Sequence, residues 1–144
     1  MPSEFLTEKD LKEVFWKSYY NTLKVKSYQF ECKIREGNAD LVTLEMFQEE
    51  YQINSFEFKI SNFSKALLQA KANLEYVNRS WIVLPYSTAA SAIERNQQEL
   101  KELKHIGVIG VEAGGRYHYL QKIKFSNPAA KLSSPIIKLI RGPE

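Results

Sequence analysis

The chain has 144 residues, of which 44% are hydrophobic and 26% charged, a balance that predicts one globular domain rather than a disordered or collagen-like chain. A single Cys32 excludes an internal disulfide and a cysteine-based zinc site. The formal net charge of +3 neither requires nor excludes a nucleic-acid partner. No apolar run is long enough to cross a membrane and the first residues lack a secretory signal, so we expect a cytoplasmic protein with no membrane partner.

The first half of the chain predicts a helix followed by three strands. A helix is expected over 7–23, because the Thr7 hydroxyl can accept from the first free amides and apolar residues then recur at helical spacing. From 28 to 34 apolar and polar residues alternate, which is typical of a strand with one solvated face. Residues 40–44 and 55–60 predict two more strands, and the short connections favour an antiparallel meander.

Helices and buried strands alternate after the meander. Ser61-Asn62 supplies polar caps for a second helix that carries one apolar stripe. Residues 81–84 are an unbroken apolar run, which predicts a strand covered on both faces. A third helix is expected over about 88–104, with Gly107 at its C-terminal exit.

A hairpin and a tail complete the chain. The hairpin strands are expected at 108–111 and 117–123. The apolar segment 136–140 is either a closing strand or a docking arm. The order helix, three-strand meander, helix, strand, helix and hairpin predicts one mixed α/β domain over residues 1–124. Residues 125–144 are then a C-terminal tail that docks on the domain or on a partner.

Three charged residues on neighbouring predicted strands form a pattern with clear chemistry. Glu57 and Lys59 are two residues apart, so they project from the same face of their strand, while Asp40 opens the strand before it. If Asp40 faces them, two carboxylates meet an ammonium in a pocket suited to Mg²⁺ or Mn²⁺. Such a site is suited to phosphodiester hydrolysis, with Lys59 near the water and a phosphate oxygen. The alternative is a solvated cross-strand charged face without a metal.

The residues around these charges resemble a known family. The resemblance covers roughly residues 7 to 123. Its motifs are, in chain order, Thr7-Glu8, Glu31, Asn38-Ala39-Asp40-Leu41-Val42, Ser55-Phe56-Glu57-Phe58-Lys59-Ile60-Ser61, Gln69-Ala70, Pro85 and Gly107 to Glu112. This pattern is similar to that of the PD-(D/E)XK nuclease superfamily, and within it to small restriction-endonuclease-like proteins.

The resemblance implies a restriction-endonuclease-like fold, a three-layer α/β/α core with a central mixed sheet. It also implies a Mg²⁺- or Mn²⁺-dependent endonuclease acting on DNA. Asp40, Glu57 and the backbone carbonyl of Phe58 would be the metal ligands, and Lys59 the cation that positions water and phosphate. The implied accessory residues are Gln69, Glu31 and Glu8.

The accessory residues have alternative interpretations. Gln69 and Asn73 fit the solvated face of the second helix, and Asn73 stands where relatives often have a tyrosine. Glu8 fits an acid at a helix start and Glu31 a solvent-facing strand residue. The chain also departs from the family pattern at Asn38, where a basic residue is common, and no proline precedes the first acid of the pair.

Basic residues beside the predicted strands are candidate contacts to nucleic acid. Lys33 and Arg35 flank the first strand and Arg116 lies near the final hairpin, where each either contacts phosphates or belongs to a solvated face. Besides DNA, the expected partners are a second copy of the chain or a protein that supplies specificity. The alternative to a nuclease is a catalytically inactive module of the same fold for nucleic-acid binding or protein interaction.

Overall fold

The computed structural model describes residues 5–127 and 134–141 and contains a six-stranded sheet with helices packed against its faces. The predicted mixed α/β fold, a three-layer α/β/α core around a central mixed sheet, is confirmed. In chain order the elements are α1 (Glu8–Tyr20), β1 (Val25–Cys32), β2 (Ala39–Phe47), β3 (Glu50–Phe58), α2 (Phe63–Asn73), β4 (Arg79–Pro85), α3 (Tyr86–Arg95), α4 (Gln97–Glu102), β5 (Ile106–Val111), β6 (Tyr117–Gln121) and α5 (Ser134–Arg141).

The strands lie side by side in the order in which they occur in the chain. Strands β1, β2 and β3 are antiparallel, so the predicted meander is confirmed. Strand β4 runs parallel to β3 and β5 parallel to β4, and β6 returns antiparallel to β5. Parallel neighbours need a long crossover, which α2 provides before β4 and the α3–α4 pair provides before β5.

The two faces of the sheet carry separate apolar cores. On one face α1 packs through Leu11, Phe15 and Tyr19 onto Phe56 and Phe58 of β3. On the other face α2, α3 and α4 pack onto a second cluster, in which the buried residues are Ala66, Leu67, Ala70, Ile82, Leu84, Ala89, Ala92, Leu100, Ile106 and Val108. Because side chains alternate along a strand, the inward position of Phe56 and Phe58 turns Glu57 toward the α2 face.

The predicted third helix over 88–104 is wrong as a single element. The chain forms α3 and α4 instead, separated at Asn96, whose φ of −125° lies outside the helical range. The Asn96 side chain donates from Nδ2 to the carbonyl oxygen of Ala92 at 2.7 Å. An asparagine that bonds a nearby backbone carbonyl competes with helix propagation, which accounts for the break.

The segment 136–140 lies within helix α5, so the closing strand is wrong. Ile136 and Leu139 are three residues apart and pack from one helix face onto a third cluster under β1 and β2 that includes Cys32. Pro135 falls in the first turn, where a helix tolerates proline because that amide has no helical partner. Residues 128–133, earlier in the tail, lie outside the described residues.

Within residues 5–127 and 134–141, no helix combines the length and apolar character that a bilayer crossing requires.

Gly107 lies inside β5 rather than at a helix exit, so that expectation is wrong. It pairs with Trp81 of β4, and a methyl group at this position would overlap the Trp81 ring and lie 2.8 Å from the carbonyl oxygen of Gln121. Glycine is required here because the indole occupies the space above the backbone.

Replacing Gly107 with alanine should therefore destabilise the protein. We expect Gly107→Ala to lower the free energy of unfolding by about 1–3 kcal/mol, since an overpacked core must shift side chains or backbone. Gly114→Ala is the matched control, because nothing lies within 4 Å of its added methyl. Denaturant titration of the three proteins measures the effect, and equal stability of the two variants would contradict the close approach of Trp81.

Candidate functional site

Asp40 and Glu57 lie opposite each other on β2 and β3. The two strands pair Leu41 with Phe56, and one further step of this register places Asp40 opposite Glu57 on the same face. The Asp40 Oδ2 atom accepts a hydrogen bond of 2.8 Å from the backbone N–H of Phe58. The structure therefore brings together the two carboxylates that the sequence pattern singled out.

A two-residue hairpin turn sets this register. Gln48 and Glu49 have φ values of 49° and 69°, in the left-handed region, and Phe47 pairs directly with Glu50. A turn with two left-handed residues matches the twist of the flanking strands and holds them in one alignment. The sequence predicted a longer polar connection over residues 48–52, whereas the strands continue almost to the turn.

The Glu57 carboxylate is fully buried and bonded through only one of its oxygens. Oε2 accepts a hydrogen bond of 2.8 Å from Asn73 Nδ2 and lies 3.3 Å from Nη2 of Arg35. Arg35 Nε donates in turn to Oδ1 of Asn73, which closes a ring of three side chains. Oε1 is buried and has no hydrogen-bond partner among the described residues.

The surroundings of Glu57 favour its protonated form. Burial raises the pKa of Glu57 to about 7, and the negative charge of Asp40 acts in the same direction. The Asn73 hydrogen bond, the Arg35 charge and a smaller contribution from the Asp40 backbone lower the pKa and do not outweigh burial. Glu57 therefore changes charge near neutral pH, and any further positive charge placed nearby would stabilise its ionised form.

Lys59 follows β3 and forms its ion pair with Glu8. The Nζ atom lies 3.7 Å from Glu8 Oε1, in the first turn of α1, and the lysine side chain is largely buried whereas the glutamate is half exposed. The backbone N–H of Lys59 donates to the carbonyl oxygen of Val83, so the residue is held at the carboxyl end of β3. Lys59 and Glu8 are thus joined to each other, and within the described residues neither has a hydrogen bond or ion pair to Asp40 or Glu57.

Gln69 lies on α2 one turn before Asn73, on the same side of the helix. Its Oε1 atom is buried and has no hydrogen-bond partner among the described residues. Asn73 is completely buried, so the interpretation of this helix side as solvated is wrong at Asn73.

Three other predicted residues lie apart from the acid pair. Glu31 is exposed and pairs with Lys12 of α1 at 3.9 Å. Lys33 and Arg116 are exposed, and within the described part of the chain neither has a hydrogen bond or ion pair to Asp40 or Glu57. The structure does not bring these three residues into the cluster.

Sequence reasoning missed the contacts of Arg35 and Asn73 with Glu57. The four-residue spacing of Gln69 and Asn73 was a usable signal, because it places both amides on one helix side. Arg35 lies in the loop between β1 and β2, where no periodicity tells which way a side chain points. The Arg35 guanidinium already contacts Asn73 and Glu57. Its assignment as a phosphate contact remains a prediction.

Comparison with known proteins bears on the fold, and the function has to be argued from the site itself. No family model and no curated protein matches the chain. Among solved structures the chain is similar to the SPO1766 protein of unknown function from Silicibacter pomeroyi, with a TM-score of 0.61 and 15% sequence identity. The similarity covers 94% of this chain and 83% of that one, so the whole domain has a structural counterpart.

Neutralising Asp40 should change the titration of Glu57. We expect Asp40→Asn to lower the pKa of Glu57 from about 7 toward its ordinary value of 4.5, because the variant removes a neighbouring negative charge and keeps an oxygen for the Phe58 amide. Carbon-detected NMR titration of the carboxyl groups measures this shift. Glu49→Gln, in the turn at the other end of the strands, is the control and should leave the Glu57 titration unchanged.

The same pair predicts how stability depends on pH. The pKa of folded Glu57 lies above its ordinary value, so the folded state holds the proton more tightly and the free energy of unfolding falls as pH rises from about 4.5 to about 7. The fall should be smaller in Asp40→Asn than in the wild type. An equal fall in the two proteins would contradict the coupling of the two carboxyls.

Proposed function

We propose that the chain is a divalent-metal-dependent nuclease that hydrolyses phosphodiester bonds in DNA. The observation that carries this proposal is the opposition of Asp40 and Glu57 on neighbouring strands, with Oε1 of Glu57 buried and unpartnered in the described chain. Two neighbouring carboxylates, one of them fully buried, repel each other, and a divalent cation relieves that repulsion. The resemblance to PD-(D/E)XK nucleases rests on the same two acids and on Lys59.

The donor set at this position fits Mg²⁺ or Mn²⁺. Both ions prefer oxygen ligands, which Asp40, Glu57 and the backbone carbonyl of Phe58 supply. Asn73 and Arg35 hold Oε2 of Glu57 and leave Oε1 for the ion. Among the described residues no group of three or more His, Cys, Asp or Glu side chains gathers in one place, so the remaining ligands would be backbone oxygen and water.

The proposed reaction assigns a separate task to each residue. A bound divalent ion lowers the pKa of a water ligand and neutralises charge that develops on the phosphate. Asp40 and Glu57 bind the ion, and the Phe58 amide holds the Asp40 carboxylate in place. Lys59 positions the phosphate. Its present partner Glu8 is half exposed and 3.7 Å away, so a phosphate oxygen could replace the Glu8 carboxylate beside Lys59.

The decisive experiment is cleavage of plasmid, linear and branched DNA with Mg²⁺ or Mn²⁺. We expect cleavage that EDTA abolishes, and a loss of roughly 10²–10³-fold in rate for Lys59→Ala, the scale on which removal of one charge-stabilising group acts. Lys65→Ala is the matched control, because it removes an exposed lysine from the first turn of α2. Asp40→Asn should lose both cleavage and metal binding. Cleavage by Lys59→Ala at the wild-type rate would contradict the assignment.

A second candidate is a catalytically silent nucleic-acid-binding module, and the Arg35–Glu57 contact favours it. Here Glu57 already has a cationic partner within the protein, which competes with a metal ion. Such a module would bind DNA with an affinity that falls steeply with salt and would cleave none of the substrates. Its DNA affinity would be the same in EDTA as in Mg²⁺ and would survive Asp40→Asn. The cytoplasmic location and the homodimer or protein partner expected from the sequence stay predictions under either candidate.

A further inference from the structure

A cavity lies at the other end of the sheet from the acid pair and on the opposite face. It has a volume of about 280 Å³ and lies where β2 ends and where β3 and β4 begin. The register places Glu45 beside Gln52 there, and Asn54 beside Arg79. Its lining residues Glu45, Gln52 and Asn54 share a strand face with Phe56, which packs on α1, whereas Glu57 faces α2. This cavity is therefore separate from the acid pair.

A buried amide with one unmet donor lines the cavity. Asn54 is 1% exposed, and its Oδ1 accepts a hydrogen bond of 3.0 Å from the indole N–H of Trp81. The indole nitrogen only donates, so it fixes the orientation of the Asn54 amide. The Nδ2 atom of Asn54 then has no hydrogen-bond partner in the described chain, and neither has the buried Oε1 of Gln52, two residues away. A buried polar group without a partner costs about 1–3 kcal/mol, which a ligand with an acceptor and a donor would recover.

The charge of the cavity is positive. Lys24, Arg79 and Lys122 line it together with one acid, Glu45. The Glu45 carboxylate is already satisfied, because Tyr19 Oη lies 2.9 Å from both of its oxygens and Thr43 Oγ1 donates to Oε2 at 2.6 Å. Burial raises the pKa of Tyr19, so its hydroxyl stays a donor to Glu45. Three cations against one screened carboxylate attract an anionic group.

Aromatic rings with cations beside them form part of the same wall. The rings of Trp81 and Tyr119 lie 5.2 Å apart, and the Arg79 guanidinium lies 5.2 Å from the Trp81 ring. The Lys24 ammonium lies 4.3 Å from the ring of Tyr19 and donates to the Tyr119 hydroxyl at 3.1 Å. Aromatic rings beside cations suit a ligand that combines a planar ring with a separate negatively charged group.

We propose that this cavity binds a nucleoside monophosphate. An edge of the base would supply an acceptor for Asn54 Nδ2 and a donor for Gln52 Oε1, and the phosphate would lie among Lys24, Arg79 and Lys122. The volume of about 280 Å³ lies just below the usual range of ligand sites, about 300 to 1,000 Å³, and this favours one nucleotide over a dinucleotide. The inference goes beyond the proposed nuclease function, because it uses none of the residues of that site.

A free mononucleotide and the phosphorylated end of a strand share this chemistry. The experiment therefore titrates the protein by calorimetry with the common ribo- and deoxyribonucleoside 5′-monophosphates, their nucleosides, inorganic phosphate and a 5′-phosphorylated single-stranded oligonucleotide. We expect one-to-one binding of at least one monophosphate, with its nucleoside and inorganic phosphate each about tenfold weaker or more. If the oligonucleotide binds more tightly than its terminal nucleotide alone, the ligand is a strand end.

Variants locate the binding in the cavity. Lys122 is exposed, so Lys122→Ala should leave the fold intact and weaken the monophosphate by roughly three- to tenfold, as should Arg79→Ala. Asn54→Asp should weaken monophosphate binding further, because an amide donor becomes a carboxylate acceptor. If that variant does not fold, the Lys122→Ala and Arg79→Ala variants test the location of the site. Lys65→Ala is the control and should bind like the wild type.

Three results would overturn the proposal. They are the absence of binding by every monophosphate at millimolar concentration, equal affinity of inorganic phosphate and nucleotides, and unchanged affinity in both Lys122→Ala and Arg79→Ala. Lys59→Ala should retain nucleotide binding even though it loses DNA cleavage. Failure of the nuclease proposal and failure of this one are therefore distinguishable.

Discussion

The alignment of β2 with β3 is the constraint on which the candidate site depends. In an antiparallel pair each residue faces one partner, and a shift of one position turns every side chain of a strand to the other face. The observed register turns Phe56 and Phe58 into the α1 core and Glu57 to the opposite side, facing Asp40. The apolar core thus holds the two acids together, because relaxing their repulsion by a register slip would expose two buried phenylalanines.

The same alignment distributes polar groups to both ends of one hairpin. Glu57 near one end has a ring of Arg35 and Asn73 on a single carboxylate oxygen, while Glu45 near the other has hydroxyl donors on both. The difference matters because an incompletely bonded buried carboxylate favours binding a proton or a cation, whereas a fully bonded one is a structural element. Glu57 is therefore able to bind a proton or a cation, whereas Glu45 has a structural role.

Much of the fold and the acid pair could be predicted from periodicity, and the failures have physical causes. Alternation in β3 correctly placed Glu57 on the face opposite the phenylalanine core, and the short connections correctly predicted the antiparallel meander. Lys59 lies beyond the end of β3, where alternation no longer applies, and pairs with Glu8 of α1. Asn96 was not recognisable as a helix break, because polar residues surround it and its effect comes from one hydrogen bond to Ala92. The short apolar segment of α5, interrupted by Lys138, suits a strand or a helix equally until its docking surface is known. The direction of Arg35 depends on tertiary contacts alone.

The position of Cys32 gives this protein a built-in reporter. Its thiol is fully buried in the cluster that α5 covers with Ile136 and Leu139, and burial raises the pKa of the thiol to about 11. Only the thiolate reacts readily with alkylating or disulfide reagents, so the folded state is shielded both by access and by protonation. Because the chain has a single cysteine, the rate of thiol modification reports how often α5 separates from β1 and β2, and no engineered label is needed.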